Sequence, residues 1–281
     1  MITEDLEQRY LAIKCSLVLI RTTDGYGTGF FVSSDGDIAT ASHVLGPRSF
    51  TSLPNGKIKV DLAPPASFQI IDDKGMATAI SASQIEKNGD AWGADVALIK
   101  TKIKTNCWLL QAEDQSTKPG EHLITMGFPG LAFGSVALYS GIMSARLKPD
   151  IIIGVTNTGQ PVKPENESIR VQMPISPGIS GSPVIDDMNR VVGIVTNAGF
   201  STQKLDLLIQ FNRGHAFDSM NPPAPPSVPG QVQVTFNIFS MVAELAETLR
   251  EFGSPGYGDA VPINYLTKAP PSNHRPASSD H

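Results

Sequence analysis

Residues 27–43 read Gly-Thr-Gly-Phe-Phe-Val-Ser-Ser-Asp-Gly-Asp-Ile-Ala-Thr-Ala-Ser-His, and short apolar runs bounded by turn residues, as in this stretch, decide the predicted fold. It contains two short apolar runs, Gly29–Ser33 and Ile38–Ala41, which are separated by the turn-forming dipeptide Asp35-Gly36. We predict a strand for each run. His43 then lies just past the end of the second strand, beside a short Ala/Ser turn.

Short runs of this kind continue for nearly 190 residues, and Gly, Pro, Asp or Ser bounds each of them. The further predicted strands are Cys15–Arg21, Ile58–Leu62, Phe68–Ile71, Asp95–Lys100, His122–Met126, Val136–Ser140, Ile151–Val155, Ile169–Met173 and Arg190–Thr196. Because no long helix separates them, the spacing predicts an all-β sandwich or barrel. A linker near Lys104–Gly120 divides the strands into two sets, which fits two packed β-barrels of about 100 residues each.

Helices are predicted only near the two ends of the chain. Thr3 can cap a short helix that places Leu6, Tyr10 and Ile13 on one face. A longer helix is predicted over Ile238–Phe252, with Gly253 as its stop. It follows a Pro-rich loop at 221–230. The tail from 268 to 281 is polar and Pro-rich, which predicts disorder.

Composition narrows the class of protein further. The 281 residues include 22 Lys and Arg against 27 Asp and Glu, which gives a net charge of −5. That balance argues against a nucleic-acid surface. No apolar run approaches the roughly 20 residues that a membrane-spanning helix needs. The acidic N-terminal segment has no export signal, so a cytoplasmic location is expected.

The cysteines are sparse. Cys15 and Cys107 are 92 residues apart, and no further Cys or His stands near either at metal-ligand spacing. No metal and no cofactor are expected. A single disulfide stays open, but the sequence favours two buried thiols.

Three segments carry residues that could act together. Gly178-Ile-Ser180-Gly-Ser-Pro183 places a serine on a Gly-flanked bend, where its hydroxyl can be exposed while backbone N–H groups converge on a developing oxyanion. Taken alone, this could equally be an ordinary turn. His43 follows a strand, and Asp95 begins one. A lone His or Asp is usually structural, but a serine motif makes a functional set of the three.

In the order His43, Asp95, Ser180, these segments resemble the trypsin-like serine peptidases of the chymotrypsin fold, and the bacterial HtrA/Deg type in particular. The resemblance extends to Pro119–Pro129, Ser140–Ala145 and Val171–Gly178, and it covers roughly Leu11–Phe200 plus Ala260–Asn264. It implies two packed antiparallel six-stranded β-barrels. The first spans about 11–104 and the second about 119–200 plus 259–265. Residues 1–267 form the peptidase domain, and 201–258 form an insertion with no assigned role.

The sequence departs from the family pattern in several places. Ile179 stands before the serine, where digestive enzymes carry an Asp that pairs with a newly cleaved N-terminus, so activation by cleavage is not implied. Ser182 replaces the usual second Gly of the motif and is expected to crowd the loop. No PDZ domain is expected after Tyr265. An α/β-hydrolase is excluded because His43 precedes Ser180, which is the wrong order for that fold.

The resemblance implies a serine endopeptidase acting on protein or peptide substrates. Ser180 is the expected nucleophile, His43 the base and Asp95 its partner, with the oxyanion held by the N–H groups of Gly178 and Ser180. The alternative is a catalytically silent peptidase fold that serves as a binding or regulatory module.

The resemblance also places a specificity pocket. Pro174 is expected at its floor and Thr196, Asn197 and Ala198 at its wall, all of them uncharged. We therefore expect cleavage after small or medium aliphatic residues rather than after Lys or Arg. Thr196 is expected to support Asp95 by a hydrogen bond.

Overall fold

The computed structural model describes residues 2–23, 25–54, 58–88, 94–112, 117–130, 134–148, 154–163, 166–197, 241–242, 245 and 256–266. The chain divides into two compact units, one of residues 1–198 with 256–281 and one of residues 199–255. In the second unit, Met241, Val242 and Leu245 are helical. The rest of the helix predicted at 238–252, the Pro-rich loop and the 268–281 tail lie outside the described residues.

The first unit is mostly β. Its helices are α1 (Ile2–Ile13) and the single turn α2 (Ser42–Leu45), with short 3₁₀ turns at Lys14–Ser16, Ala82–Gln84 and Ile263–Leu266. The strands are β1 (Leu17–Arg21), β2 (Tyr26–Phe31), β3 (Asp37–Thr40), β4 (Arg48–Ser52), β5 (Ile58–Leu62), β6 (Ser67–Ile71), β7 (Ala77–Ser81), β8 (Ile85–Asn88), β9 (Ala97–Lys100), β10 (Leu110–Gln111), β11 (His122–Gly127), β12 (Ala137–Leu147), β13 (Gly154–Val155), β14 (Pro161–Val162), β15 (Ser168–Gln172), β16 (Pro183–Ile185), β17 (Arg190–Asn197) and β18 (Gly258–Pro262).

The first sheet has seven antiparallel strands in the order β7-β6-β1-β2-β3-β9-β8, and β4 and β5 form a separate hairpin. Successive side chains along each strand point to opposite faces of this sheet, and those on the inner face form a buried core. Val18 and Ile20 from β1 meet Ile38 from β3 and Ile99 from β9 in one buried cluster. Within the described residues, the edge strands β7 and β8 do not pair with each other, so this barrel is open on that side.

The second sheet closes into a barrel. Its strands run β17-β16-β11-β12-β15-β18, and an additional ladder between β17 and β18 joins the two ends. Met143, Ile169, Val184 and Val195 are among the side chains that fill its interior. None of these six strands is an edge of the ring, and the short strand β10 pairs in parallel with the start of β17 outside it. The prediction of a chymotrypsin-like double barrel is confirmed, with six strands closed in the second barrel.

A third buried cluster contains side chains from both sheets and packs against the helix α1. It includes Leu17 and Phe30 from the first sheet, Ile124 and Ile194 from the second, and Ile13 at the end of α1. Burying each such side chain contributes roughly 1.5–3 kcal/mol. As predicted, α1 presents one apolar face, because Leu6 and Tyr10 pack against the same cluster.

The two cysteines correct one prediction. Cys15 and Cys107 form a disulfide with a Cα–Cα distance of 5.7 Å, and both are half-buried rather than buried thiols. The reason is the course of the linker between the barrels. After β9 it runs back along the first sheet, where the Leu109 N–H donates to the Phe31 carbonyl. That path brings Cys107 to the turn after α1, a proximity that the 92-residue separation does not reveal.

In the part of the chain that the structure describes, no helix combines the length and the apolar character that a bilayer crossing needs. The same part also contains no group of three or more His, Cys, Asp or Glu side chains placed to hold a metal ion.

Candidate active site

The short helix α2 presents His43 at the end of β3. Its first residue, Ser42, is fully buried, and its hydroxyl donates to the Val96 carbonyl over 2.8 Å. This bond ties the turn to the segment that leads into β9, so His43 and Asp95 are held on adjacent backbone segments. The His43 side chain itself is 37% exposed. One face of the imidazole is therefore free to meet a second group.

Asp95 binds His43 at two points. One carboxylate oxygen lies 2.5 Å from His43 Nδ1, and the other accepts the His43 backbone N–H at 3.0 Å. Burial acts to raise the pKa of Asp95, but the charge and hydrogen bonds of His43 and the charge of Arg48 outweigh it and lower that pKa to about 2. Asp95 is thus an anion at neutral pH. It fixes the imidazole so that Nδ1 carries a proton and Nε2 can accept one.

Ser180 follows a loop whose peptide groups are individually oriented. The Pro177 carbonyl accepts the Gly130 N–H at 2.9 Å, and the Ile179 carbonyl accepts the Ser182 N–H at 2.9 Å. The C=O and N–H of a trans peptide point in opposite directions, so these bonds turn the Gly178 and Ser180 N–H groups the other way. Neither N–H donates to any described residue. The predicted oxyanion hole therefore has both donors available.

Glycine is required at position 178. The residue has a φ of +92°, and an added Cβ would overlap the Phe128 carbonyl oxygen. Only glycine adopts this conformation without strain, and only glycine allows the two backbone segments to approach so closely. The preceding peptide is held on the other side by the Gly130 N–H. The loop is thus fixed against residues 128–130.

Thr28 on β2 fixes the next peptide of the loop. Its side chain is fully buried, its hydroxyl donates to the Gly178 carbonyl at 2.8 Å, and the same oxygen accepts the Phe128 N–H at 3.0 Å. Its backbone N–H also donates to the Ser180 carbonyl at 2.8 Å. One residue of the first sheet therefore positions both sides of the serine loop of the second.

Ser182 does not distort the loop, although it replaces a glycine of the family pattern. Its side chain is fully buried and lies against Gly127 at the end of β11. A Cβ at position 127 would overlap the Ser182 hydroxyl, so the missing side chain at 127 makes room for the one at 182. The expected crowding is relieved by the opposite strand.

His43 and Ser180 line one cleft of about 500 Å³, together with Gly178, Tyr26 and Arg48. Among the described residues the Ser180 hydroxyl forms no hydrogen bond with His43, and such catalytic bonds often tighten only when substrate is bound. The cleft is open to solvent along one side of the serine. It is large enough for several residues of an extended peptide.

The described side chains predicted to form the specificity pocket do not line this cleft. Pro174 is exposed and follows β15, while its neighbours Met173 and Ile175 are buried in the second barrel. Neither Pro174 nor Thr196 lines the cleft. Asn197 ends β17 opposite Asp259 of β18, and Ala198 lies outside the described residues.

One expectation about the pocket wall is wrong. The Thr196 hydroxyl donates to the Asp259 backbone carbonyl at 3.4 Å and does not support Asp95. β17 pairs with β18 at this point, so the Thr196 hydroxyl lies within reach of the β18 backbone.

Two residues of the site were missed at the level of sequence. Thr28 stands in the Gly27-Thr-Gly29 stretch, and an alternating strand gives no sign that its hydroxyl faces a loop 150 residues away. Arg48 begins β4, five residues after His43, and its guanidinium lies 3.5 Å from Asp95. The proximity of Arg48 to His43 in sequence is the one signal that could have indicated it.

The comparisons with known proteins agree with this geometry. A trypsin-like peptidase domain family matches residues 27–194, which is more than half of the chain. The serine protease HTRA1 of Xenopus laevis is 28% identical over 173 residues, which cover 60% of this chain and 31% of that protein. The chain spans less than a third of the length of the first curated relatives it matches.

Two solved structures share the fold. The HtrA-type protease AlgW, solved with a tripeptide, has a TM-score of 0.53 at 16% identity, with 93% of this chain and 60% of that one covered. The active form of the protease Rv3671c from M. tuberculosis has a TM-score of 0.53 at 20% identity, with 70% and 77% covered. The paired barrels, the three side chains at their junction and the family match lead to one conclusion: this chain belongs to the trypsin-like peptidase family.

Proposed function

We propose that the chain is a serine endopeptidase in which Ser180 is the nucleophile, His43 the general base and Asp95 the carboxylate that orients His43. The observation that carries this proposal is the loop conformation at Ser180. It leaves the N–H groups of Gly178 and Ser180 without partners among the described residues, beside a histidine already bound to an ionised Asp95.

The reaction would use these groups in a fixed order. His43 Nε2 takes the Ser180 proton as Oγ attacks the scissile carbonyl, and the two N–H groups bind the oxyanion that forms. His43 then gives that proton to the leaving amine, and an acyl-enzyme remains. Water repeats the sequence and releases the acid. Asp95 stabilises the imidazolium in both halves without taking its proton.

The alternative was a silent fold that serves only for binding. Such a module has no need of two unpaired backbone donors beside an oriented histidine, because leaving buried polar groups unpaired is costly. Gly178 is buried, and its φ of +92° adds a further constraint. The site therefore favours catalysis.

Peptides are the substrate class that we propose. HtrA-type AlgW, which shares the fold, has been solved with a tripeptide, and a Ser-to-Ala variant of it has been solved with a decapeptide. The residue before the scissile bond is proposed to be small or medium and aliphatic, with Pro174, Thr196, Asn197 and Ala198 forming the pocket.

Asp259, the acidic residue opposite Asn197, supports an uncharged pocket. Its carboxylate is bound by Arg170 through two hydrogen bonds of 2.9 and 3.1 Å. The Asp259 charge is therefore paired and not free to select Lys or Arg.

A fluorophosphonate probe tests the assignment of Ser180. We expect the wild type to be labelled at Ser180, and both Ser180→Ala and His43→Ala to lose labelling and peptide cleavage. The loss of kcat should be about 10⁶-fold. Labelling that persists in Ser180→Ala would overturn the assignment.

The chain offers a matched control for the probe. Ser140, His122 and Asp187 form a second hydrogen-bonded Ser–His–Asp chain, with distances of 2.8 and 2.9 Å. Ser140 is exposed on β12 and pairs with Ile124 of β11 in a regular strand ladder. It does not lie next to a loop like the one that precedes Ser180. Ser140→Ala should therefore label and cleave like the wild type.

The cytoplasmic location stays a prediction. The Cys15–Cys107 disulfide bears on it, because structural disulfides are rare in reducing compartments. Cell fractionation, combined with alkylation of free thiols before lysis, would measure the compartment and the redox state together.

A further inference from the structure

Arg48 occupies an unusual position in the cleft. It is the only Lys, Arg, Asp or Glu among the described residues that line the space around Ser180. Its side chain is 13% exposed, and its guanidinium lies over the Phe50 ring with the central carbon 5.9 Å from the ring centre. The side chain is thus held in place by packing rather than left free in solvent.

One guanidinium nitrogen of Arg48 has no hydrogen-bond partner. Nη1 is buried, lies 3.5 Å from Asp95 Oδ1 and forms no hydrogen bond. A guanidinium presents five N–H donors in a planar fork that matches a carboxylate. Asp95 Oδ1 already accepts the His43 backbone N–H and accepts no hydrogen bond from Nη1, with which it forms only an ion pair. Arg48 also lines the cleft, so its remaining N–H donors can bind a ligand carboxylate while Nη1 faces Asp95.

The cleft continues into a second one that is also basic. The two share Thr22, Gly25 and Tyr26, and the second, of about 670 Å³, adds Arg21 as its only charged described residue. No acidic side chain lines either cleft among the described residues. Asp24 lies outside them. The electrostatic character of this surface therefore favours a negatively charged group on the substrate.

The location of the cleft indicates which part of the substrate it receives. The pocket proposed for the residue before the scissile bond contains Pro174, Thr196 and Asn197, and none of these lines the cleft. The cleft lies instead on the side of Ser180 bounded by Val44 and Pro47. It therefore receives the segment that follows the scissile bond. This step rests on the proposed function.

We propose that Arg48 binds an acidic side chain of the substrate in the segment after the scissile bond, and that this binding assists the reaction as well as the encounter. Arg48 stands close to Asp95, so its positive charge opposes the formation of imidazolium on His43. A substrate carboxylate bound to Arg48 offsets that charge. An acidic substrate should then show a higher kcat as well as a lower KM.

The test compares peptides that differ in charge alone. Fluorogenic peptides with one sequence before the scissile bond carry either Glu or Gln at the first, second or third position after it. We expect the Glu peptide to be cleaved with at least tenfold higher kcat/KM at one of these positions, part of it in kcat. Equal cleavage of all the Glu and Gln pairs by the wild type would overturn the proposal.

Variants separate the role of Arg48 from net charge. Arg48→Gln should reduce the Glu preference to within twofold, whatever its effect on the absolute rate for the Gln peptide. Arg146→Gln is the matched control, because Arg146 is also partly buried beside an acid, Glu167, but lies on β12 outside the cleft. It should keep the full preference. A preference that survives Arg48→Gln would contradict the proposal.

Two further measurements keep the result interpretable. If Arg48→Gln does not fold, Arg48→Lys takes its place: lysine keeps the charge and lacks the planar fork, so the Glu preference should fall, and an undiminished preference would count against Arg48. In the Ser180→Ala background, anisotropy measures binding without cleavage. Tighter binding of the Glu peptide by this variant supports the role of Arg48 in substrate binding, even if the chain does not cleave peptides. If the wild type shows no cleavage that depends on Ser180, that result counts against the endopeptidase proposal alone.

Discussion

The hydroxyl of Thr28 is the contact through which the first sheet positions the serine loop. Replacing Thr28 by Val keeps the shape of the side chain and removes both of its hydrogen bonds. The Gly178 carbonyl then loses its hydrogen-bond donor, and the Phe128 N–H loses its acceptor. Both groups are buried against the Thr28 side chain. A buried polar group left unpaired costs about 1–3 kcal/mol, so two of them should lower the free energy of unfolding by about 2–6 kcal/mol.

The effect on catalysis should exceed what the loss of stability explains. Without the Thr28 hydroxyl, the peptide between Gly178 and Ile179 is free to rotate, and the oxyanion donors on either side of it lose their alignment. Deleting one oxyanion donor costs about 10²–10³ in kcat, and misalignment should cost about tenfold to a hundredfold. Thr28→Ser, which keeps the hydroxyl, should restore most of the activity.

Thr101 provides the control. Its hydroxyl also donates one hydrogen bond, to the Gly36 carbonyl at 2.6 Å, and accepts one, from the Ile103 N–H at 3.1 Å, in a buried site outside the cleft. Thr101→Val should therefore be destabilised in urea to a similar extent. It should keep its kcat at temperatures where both variants are folded. If Thr28→Val then cleaved within twofold of Thr101→Val, the role assigned to Thr28 would be refuted.

Two other outcomes follow from the site and its surroundings. Because the pKa of Asp95 is lowered from 3.8 to about 2 in the folded protein, its contribution to stability is fully present above about pH 4 and is lost as the pH falls through 2. Urea unfolding between pH 2 and 6 should show this loss in the wild type and not in Asp95→Asn. Replacing Cys15 and Cys107 together by Ser should lower the free energy of unfolding by about 2–4 kcal/mol, and the wild type in reductant should match that variant, whereas an unchanged urea midpoint would argue against the disulfide.

The sequence was most informative where a pattern is local. Short apolar runs bounded by turn residues predicted β1, β3, β5 and β11 to within two residues at each end, because both the run and its boundaries are local in the sequence. The pattern was silent on β7 and β8. Ala77–Ser81 has one buried residue, Ile80, and a strand with so little apolar content has no periodic signal to read.

The site shows the same division. The sequence predicted His43, Asp95 and Ser180 because each lies in a short segment whose residues resemble a family motif. Arg48, Thr28 and the Cys15–Cys107 bond were not, because each depends on a contact between distant parts of the chain. The hydroxyl of Thr28 reaches a carbonyl 150 residues away, and only the packing of one sheet on the other determines that distance.

The residue beside the nucleophile has a further consequence. Ile179 is fully buried among the core side chains of the second barrel, and burying it contributes about 2 kcal/mol. The loop is therefore anchored by the same collapse that folds that barrel, and no newly released terminus is needed to hold it. An enzyme built in this way would be competent as soon as it is folded. The substrate would then limit its activity, since only a chain that can offer an extended, unstructured segment gains access to the nucleophile.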